Sequence, residues 1–235
     1  MPVGPGSVSR KGQAMGGKKL SIVFALLAVL TLTGTECFFV ARSGSSSNDG
    51  EEQNTGLVVV IRDGRLVDAP VEGVAFHSAS LAGITGTDGE FQYVAGEPVA
   101  FSIGDIALGE PVEGKSVITP LDLVPQGTLD TPAVINIARL LLSLDAVPGD
   151  ARITIPAAVR AAAILSRADV DAAIRFLDFS DDTRFTNGAA QLVATLTADY
   201  PFTGVLVDAQ SARAHLRQSL LSAGISVPAE RVLSQ

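Results

Sequence analysis

The sequence predicts an α+β protein: a small antiparallel β module over residues 56–125, followed by a bundle of about five short helices over 126–235 packed on it. Three observations carry this. Apolar and polar residues alternate with a period of two in Val74-Ala75-Phe76-His77, Phe91-Gln92-Tyr93-Val94 and Val99-Ala100-Phe101-Ser102-Ile103. Gly, Pro and Asp interrupt that pattern at short intervals. From Thr131 onward the spacing becomes helical and the turn residues thin out.

Within the β module, Leu57-Val58-Val59-Val60-Ile61 is a continuous β-branched run that predicts a buried strand entering the module through Asp63-Gly64. Thr87-Asp88-Gly89 and Ala95-Gly96-Glu97-Pro98 are turns between strands, with glycine at the position that takes a positive φ. Ile106-Ala107-Leu108-Gly109 and Ser116-Val117-Ile118-Thr119 predict two more short strands. Pro120 and Pro125 then end the β part, because proline cannot donate to a central ladder.

The helical part opens with Thr131 as N-cap and Pro132 at the first helical position. Over 132–144 only Asn136, Arg139 and Ser143 form a polar stripe, so this helix is expected to be buried nearly all round. Residues 145–155, with Pro148-Gly149-Asp150, are expected to form a loop. A second, Ala-rich helix is expected from Pro156 through Leu165. Ser166 and Asp169 have capping-box spacing and predict a third over 167–177. Thr186 is expected to cap a fourth over 189–198, and Asp208 a fifth that ends at Gly224. Residues 225–235 are expected to be a tail.

Residues 1–42 read as a leader or membrane anchor. Lys18 and Lys19 precede the apolar run 20–34, the layout of an export signal, and Met15 is the expected start. Three fates are open to the stretch behind that run. Cys37 stands where a lipoprotein carries its acylated cysteine, although Glu36 occupies the place of the usual small residue. Residues 20–41 are also long enough to be kept as a signal anchor, and cleavage near Thr35 or Ala41 is the third. Residues 43–55 form a Ser-, Gly- and acid-rich tether. Cys37 is the only cysteine of the 235 residues, so the exported part is expected to be held by its core without an internal disulfide.

The chain carries a formal charge of -8, with 17 basic and 25 acidic groups. Setting aside residues 1–43 leaves 12 basic groups against 24 acidic, a net of -12. That surface repels phosphate backbones, and nucleic acid is excluded as a partner. With 47% hydrophobic residues but 5% aromatic and no Trp, the core is expected to be built of Val, Leu, Ile and Ala.

No catalytic, cofactor-binding or metal-binding residue is assigned. A Gly-x-Ser-x-Gly turn, grouped Cys or His ligands, an EF-hand loop and a phosphate-cradling glycine loop are all missing from the sequence. The two histidines are His77, on an expected strand, and His215, in the fifth helix. Either serves a hydrolase only if a carboxylate or hydroxyl lies within hydrogen-bond reach of its ring. The acidic run 178–182 reads as a solvated loop between helices.

The residues Asp68-Ala69-Pro70-Val71-Glu72-Gly73-Val74 and Gly83-Ile84-Thr85-Gly86-Thr87-Asp88-Gly89-Glu90-Phe91 resemble turns of the carboxypeptidase regulatory-like family, the second turn being one residue shorter here. That resemblance implies a transthyretin-like or immunoglobulin-like β-sandwich, a non-catalytic module of exported proteins. The runs 101–109, 118–123 and 136–145 are similar to a group of uncharacterised bacterial envelope proteins and lipoproteins, which implies no assigned activity. In that group the stretch after the central helix carries several Asp residues suited to calcium; only Asp145 and Asp150 stand here, and no metal site is carried over.

The expectation is therefore an exported, membrane-tethered, non-enzymatic interaction or structural module of the bacterial envelope. Its partners would be a membrane, through the N-terminal segment, and an envelope protein. The first alternative is a carrier of a hydrophobic ligand or lipid in a cavity lined by Leu140, Leu141 and Leu144. The second is a hydrolase built on His77 or His215 with a carboxylate.

Overall fold

A computed structural model describes residues 59–164, 168–175, 177–200 and 204–227. The expected leader, tether and Cys37 lie outside the described residues, as do Leu57, Val58 and the serine of the expected capping box, Ser166. The described chain is α+β in the expected order, with most strands ahead of the helices.

Among the described residues nine strands precede the first helix: β1 (Ile61–Leu66), β2 (Val71–Glu72), β3 (Ala75–His77), β4 (Ala82–Ile84), β5 (Glu90–Val94), β6 (Pro98–Ile103), β7 (Ile106–Ala107), β8 (Val112–Glu113) and β9 (Val117–Ile118). One sheet runs β5-β1-β9. The larger sheet runs β4-β3-β6-β7, with β8 also paired to β6. Phe91 of β5 meets Phe76 of β3 at 5.7 Å and stands edge-on to Phe101 of β6 at 5.1 Å, so the two sheets are joined by an aromatic cluster. Four of the twelve aromatics, Phe76, Phe91, Tyr93 and Phe101, thus meet within a core expected to be aliphatic. Edge-to-face pairs of this kind contribute about 0.5–1.5 kcal/mol beyond the area they bury.

Two features of the expected β module are corrected. The described part of the apolar run before Ile61 is not a buried strand: Val59 is 45% exposed, and β1 begins at Ile61 and carries Asp63-Gly64 inside it. Gly64 faces Phe91 across the ladder, where a Cβ would lie 2.5 Å from the Phe91 ring, so the glycine makes room for the cluster rather than turning the chain. Nor is the module purely antiparallel. β1 and β9 are parallel, and β2 pairs in parallel with a tenth strand, β10 (Ile153–Thr154), in the stretch expected to be loop. Parallel neighbours need a long crossover, and here the first helix lies within the one joining β2 to β10.

That helix, α1 (Pro132–Ser143), is buried on all sides, and its polar stripe is buried with it. Thr131 is its N-cap by position but makes no side-chain cap bond; the Thr131 hydroxyl accepts from Thr128 N–H instead. The later helices are α2 (Ala157–Ala162), α3 (Ala168–Arg175), α4 (Asp182–Leu196) and α5 (Ala209–Ser222). α2 stops short of the expected Leu165, because Ala163 O is taken by Asp105 N–H of the β6–β7 turn at 2.7 Å. α4 starts well before Ala189: Asp181, not Thr186, is its cap, accepting from Thr183 N–H and Arg184 N–H at 3.0 Å. α5 is capped by Asp208 as expected, through Ser211 N–H at 2.9 Å.

The main core cluster takes Leu66, Phe91 and Ile118 from the strands together with Ile137, Leu140, Leu141 and Leu144 from α1 and its cap, and Phe185 and Leu192 from α4. A second cluster joins Val134, Ile135 and Ala138 of α1 to Ala212, Leu216 and Leu220 of α5. The four-residue spacing of the α5 residues makes one stripe against α1, and His215, Ser219 and Ser222 lie along the neighbouring face.

Candidate functional site

The site begins in the turn between β1 and β2. Leu66 N–H donates to Gly89 O and Val67 N–H to Ile118 O, both at 2.8 Å, while Pro70 O accepts from Ile153 N–H at 2.9 Å. Bound on both sides, the turn closes on itself through a bridge between Val67 and Pro70. Ala69 is forced to φ +56°, a left-handed conformation that a residue with a Cβ adopts only when its surroundings dictate it. The consequence falls on Asp68, which is 0% exposed.

Neither carboxylate oxygen of Asp68 has a hydrogen-bond partner among the described residues. Burial in that setting disfavours the charged form and pushes the carboxyl up from 3.8 to about 7. His215 of α5 approaches it, with Nε2 3.7 Å from Asp68 Oδ1 and 3.4 Å from Asp68 O. The carboxylate is therefore at ion-pair range and outside the hydrogen-bond reach that the hydrolase alternative requires. Asp68 O can only accept, so a hydrogen bond from Nε2 to it favours the tautomer protonated at Nε2, with Nδ1 as an acceptor.

His215 also lines a cleft of about 640 Å³ between the turn and α5. Val67, Ala69 and Pro70 form its apolar side, Gln218, Ser219 and Ser222 its helix side, and Arg65, Asp88 and Asp150 bring charge to it. Five separate parts of the chain converge here, β1 with the β1–β2 turn, the turn before β5, β9, the loop ahead of β10 and α5, which is the usual setting of a binding site.

His77 sits exposed on β3 and does not line this cleft, so the two histidines are not brought together. Leu140, Leu141 and Leu144 are fully buried in the main core and do not line it either. Asp145 is spent on structure, accepting from Val147 N–H at 3.2 Å and Thr154 N–H at 3.0 Å. Among the described residues no three His, Cys, Asp or Glu side chains converge to hold a metal, and no helix is long and apolar enough to cross a membrane.

The acidic run 178–182 is more than a solvated loop. Asp181 caps α4, and Asp182 Oδ1 accepts from Arg139 Nη1 at 3.0 Å. The polar stripe of α1 is satisfied throughout: Asn136 Nδ2 donates to Phe179 O, Arg139 Nε to Val207 O, and Ser143 Oγ to Arg139 O. Sequence reasoning passed over Asp68, which reads as one more turn residue. Its partner lies 147 positions along the chain, a separation that leaves no local signal.

Two proteins of Escherichia coli, "Putative lipoprotein YghJ" of an ETEC strain and "Putative lipoprotein AcfD homolog" of strain K12, are each 32% identical to this chain over 97 residues. The match covers 40% of the chain and 6% of either relative. No family model matches the chain, and no solved structure matches it. The carboxypeptidase regulatory-like resemblance therefore rests on its turn motifs alone, whereas the likeness to proteins named as lipoproteins is supported by a match of 97 residues.

Proposed function

We propose that this chain is an exported, membrane-tethered, non-catalytic interaction or structural module of the bacterial cell envelope. The observation that supports the reading is the form of the match: it takes in 97 residues, only 6% of each much larger relative, and both relatives are named as lipoproteins. The leader layout of Lys18, Lys19 and the apolar run 20–34, with Cys37 just beyond, supports export and an N-terminal anchor. The cleft beside Asp68 and His215 supplies a place for a partner to engage.

Expression of the full chain in a bacterial host, followed by fractionation and labelling with a tagged palmitate, tests this. The chain is expected in the membrane fraction, and Cys37→Ser is expected to abolish the label if the cysteine is the anchor. Retention in the membrane without label assigns anchoring to residues 20–41. Recovery in the cytosol overturns the proposal.

A further inference from the structure

We propose that the cleft between the β1–β2 turn and α5 binds the ammonium or guanidinium group of a basic peptide segment, with His215 as an acceptor positioned by Asp68. The proposal deepens the module reading by naming the partner's chemistry. Three things in the cleft point to a cation. Asp88 and Asp150 both line it, against Arg65 as the one fixed positive charge among its lining residues. The remaining polar groups, on Gln218, Ser219 and Ser222, all have oxygens able to accept.

The third observation is independent of that acidic rim. Asp68 is 0% exposed and its two oxygens lack any hydrogen-bond partner among the described residues, yet the carboxylate stands 3.7 Å from the ring that lines the cleft. Asp68 O, 3.4 Å from Nε2 and able only to accept, favours the tautomer with the proton on Nε2, which leaves the Nδ1 lone pair as an acceptor on a ring that lines the cleft. Above about pH 7, where the Asp68 carboxyl is ionised, it also places negative charge behind the ring, which favours a cation in front of it. Among the described residues no aromatic side chain, the usual platform for a sugar, lines the cleft. Arg65 at the β1 side is suited to a carbonyl or carboxylate of the same ligand, so a peptide fits better than a bare polyamine.

The test uses the purified full chain, with trilysine as probe and fully acetylated trilysine and triglutamate as controls. Because the chain holds two histidines, the exposed His77 is an internal reference for ring NMR. Trilysine is expected to shift the His215 ring resonances while leaving those of His77 in place, and neither control is expected to do so. Asp88→Asn with Asp150→Asn should weaken binding roughly tenfold. Asp68→Asn, near-isosteric and without a buried charge to misplace, should weaken binding and also move the His215 nitrogen shifts. A purely structural role for Asp68 would leave those nitrogen shifts unmoved. Equal binding of trilysine and its acetylated form, preference for triglutamate, or an affinity unchanged in the double variant overturns the proposal. Membrane fractionation is independent of all these readouts, so failure of the cation site and failure of the envelope reading are told apart.

Discussion

Arg139 shows the behaviour of a charged residue inside a helix that has no exposed face. Its guanidinium donates to Val207 O, Asn136 Oδ1, Asp182 Oδ1 and Thr186 Oγ1, and it lies 5.1 Å over the Phe185 ring. Arg139→Ala would strand Val207 O and Asn136 Oδ1 without a donor, and a loss of about 1–3 kcal/mol per stranded acceptor is expected in urea unfolding. Asp68 makes the opposite prediction. Its folded carboxyl, raised from 3.8 to about 7, holds a proton that the unfolded chain has already released. The resulting stability is fully present below the unfolded value, falls as pH rises through about 7, and is gone above it. At 1.36 kcal/mol per unit the span is on the order of 4 kcal/mol, reduced wherever a protonated His215 pairs with the carboxylate. Asp68→Asn should remove this slope, and the difference between the wild-type and variant stability curves against pH is the measurement. The polar stripe around Arg139 was legible because it interrupts an apolar helix. Asp68 was not, because what sets it apart is burial, and burial comes from β5, β9, β10 and α5 closing around a turn.

At the level of elements, local chemistry placed the boundaries well wherever a cap or turn acts within a few residues. Gly89 and Gly96 take φ of +76° and +85° at the two turns expected to need them, and Asp208 starts α5. Boundaries set from a distance were missed. α2 ends where Asp105 claims Ala163 O, and Gly104 must be glycine there since a Cβ would lie 2.1 Å from that oxygen. Thr186, expected to cap α4, is inside the helix and serves Arg139; Asp181 does the capping. Asp181→Ala is accordingly expected to cost about 1 kcal/mol and to fray the first turn of α4, visible as faster amide exchange at Thr183 and Arg184. Thr186→Val should leave that exchange unchanged, since its hydroxyl acts on α1 rather than on the start of α4.

At the scale of the whole molecule, the boundary expected at 125/126 is crossed by the core itself. The cluster holding Leu66, Phe91 and Ile118 also holds Ile137, Leu141, Ile153, Val159 and Phe185. β10 adds to the tie, with Ile153 N–H on Pro70 O and Ile155 N–H on Glu72 O, both 2.9 Å. A chain reduced to residues 59–130 would expose these apolar surfaces at about 25 cal/mol per Å². It is expected to show collapsed amide dispersion in NMR, while the described span unfolds in one transition followed alike by near- and far-UV circular dichroism. The order of strands before helices, the turns, the start of α1 after Thr131, the cap at Asp208 and the burial of α1 came from the sequence alone, because each is decided by residues within one or two turns of one another. The parallel pairing of β2 with β10, the end of α2, and the meeting of Asp68 with His215 were decided only by tertiary structure, because each joins positions dozens to 147 residues apart and depends on how the sheets and helices share one core.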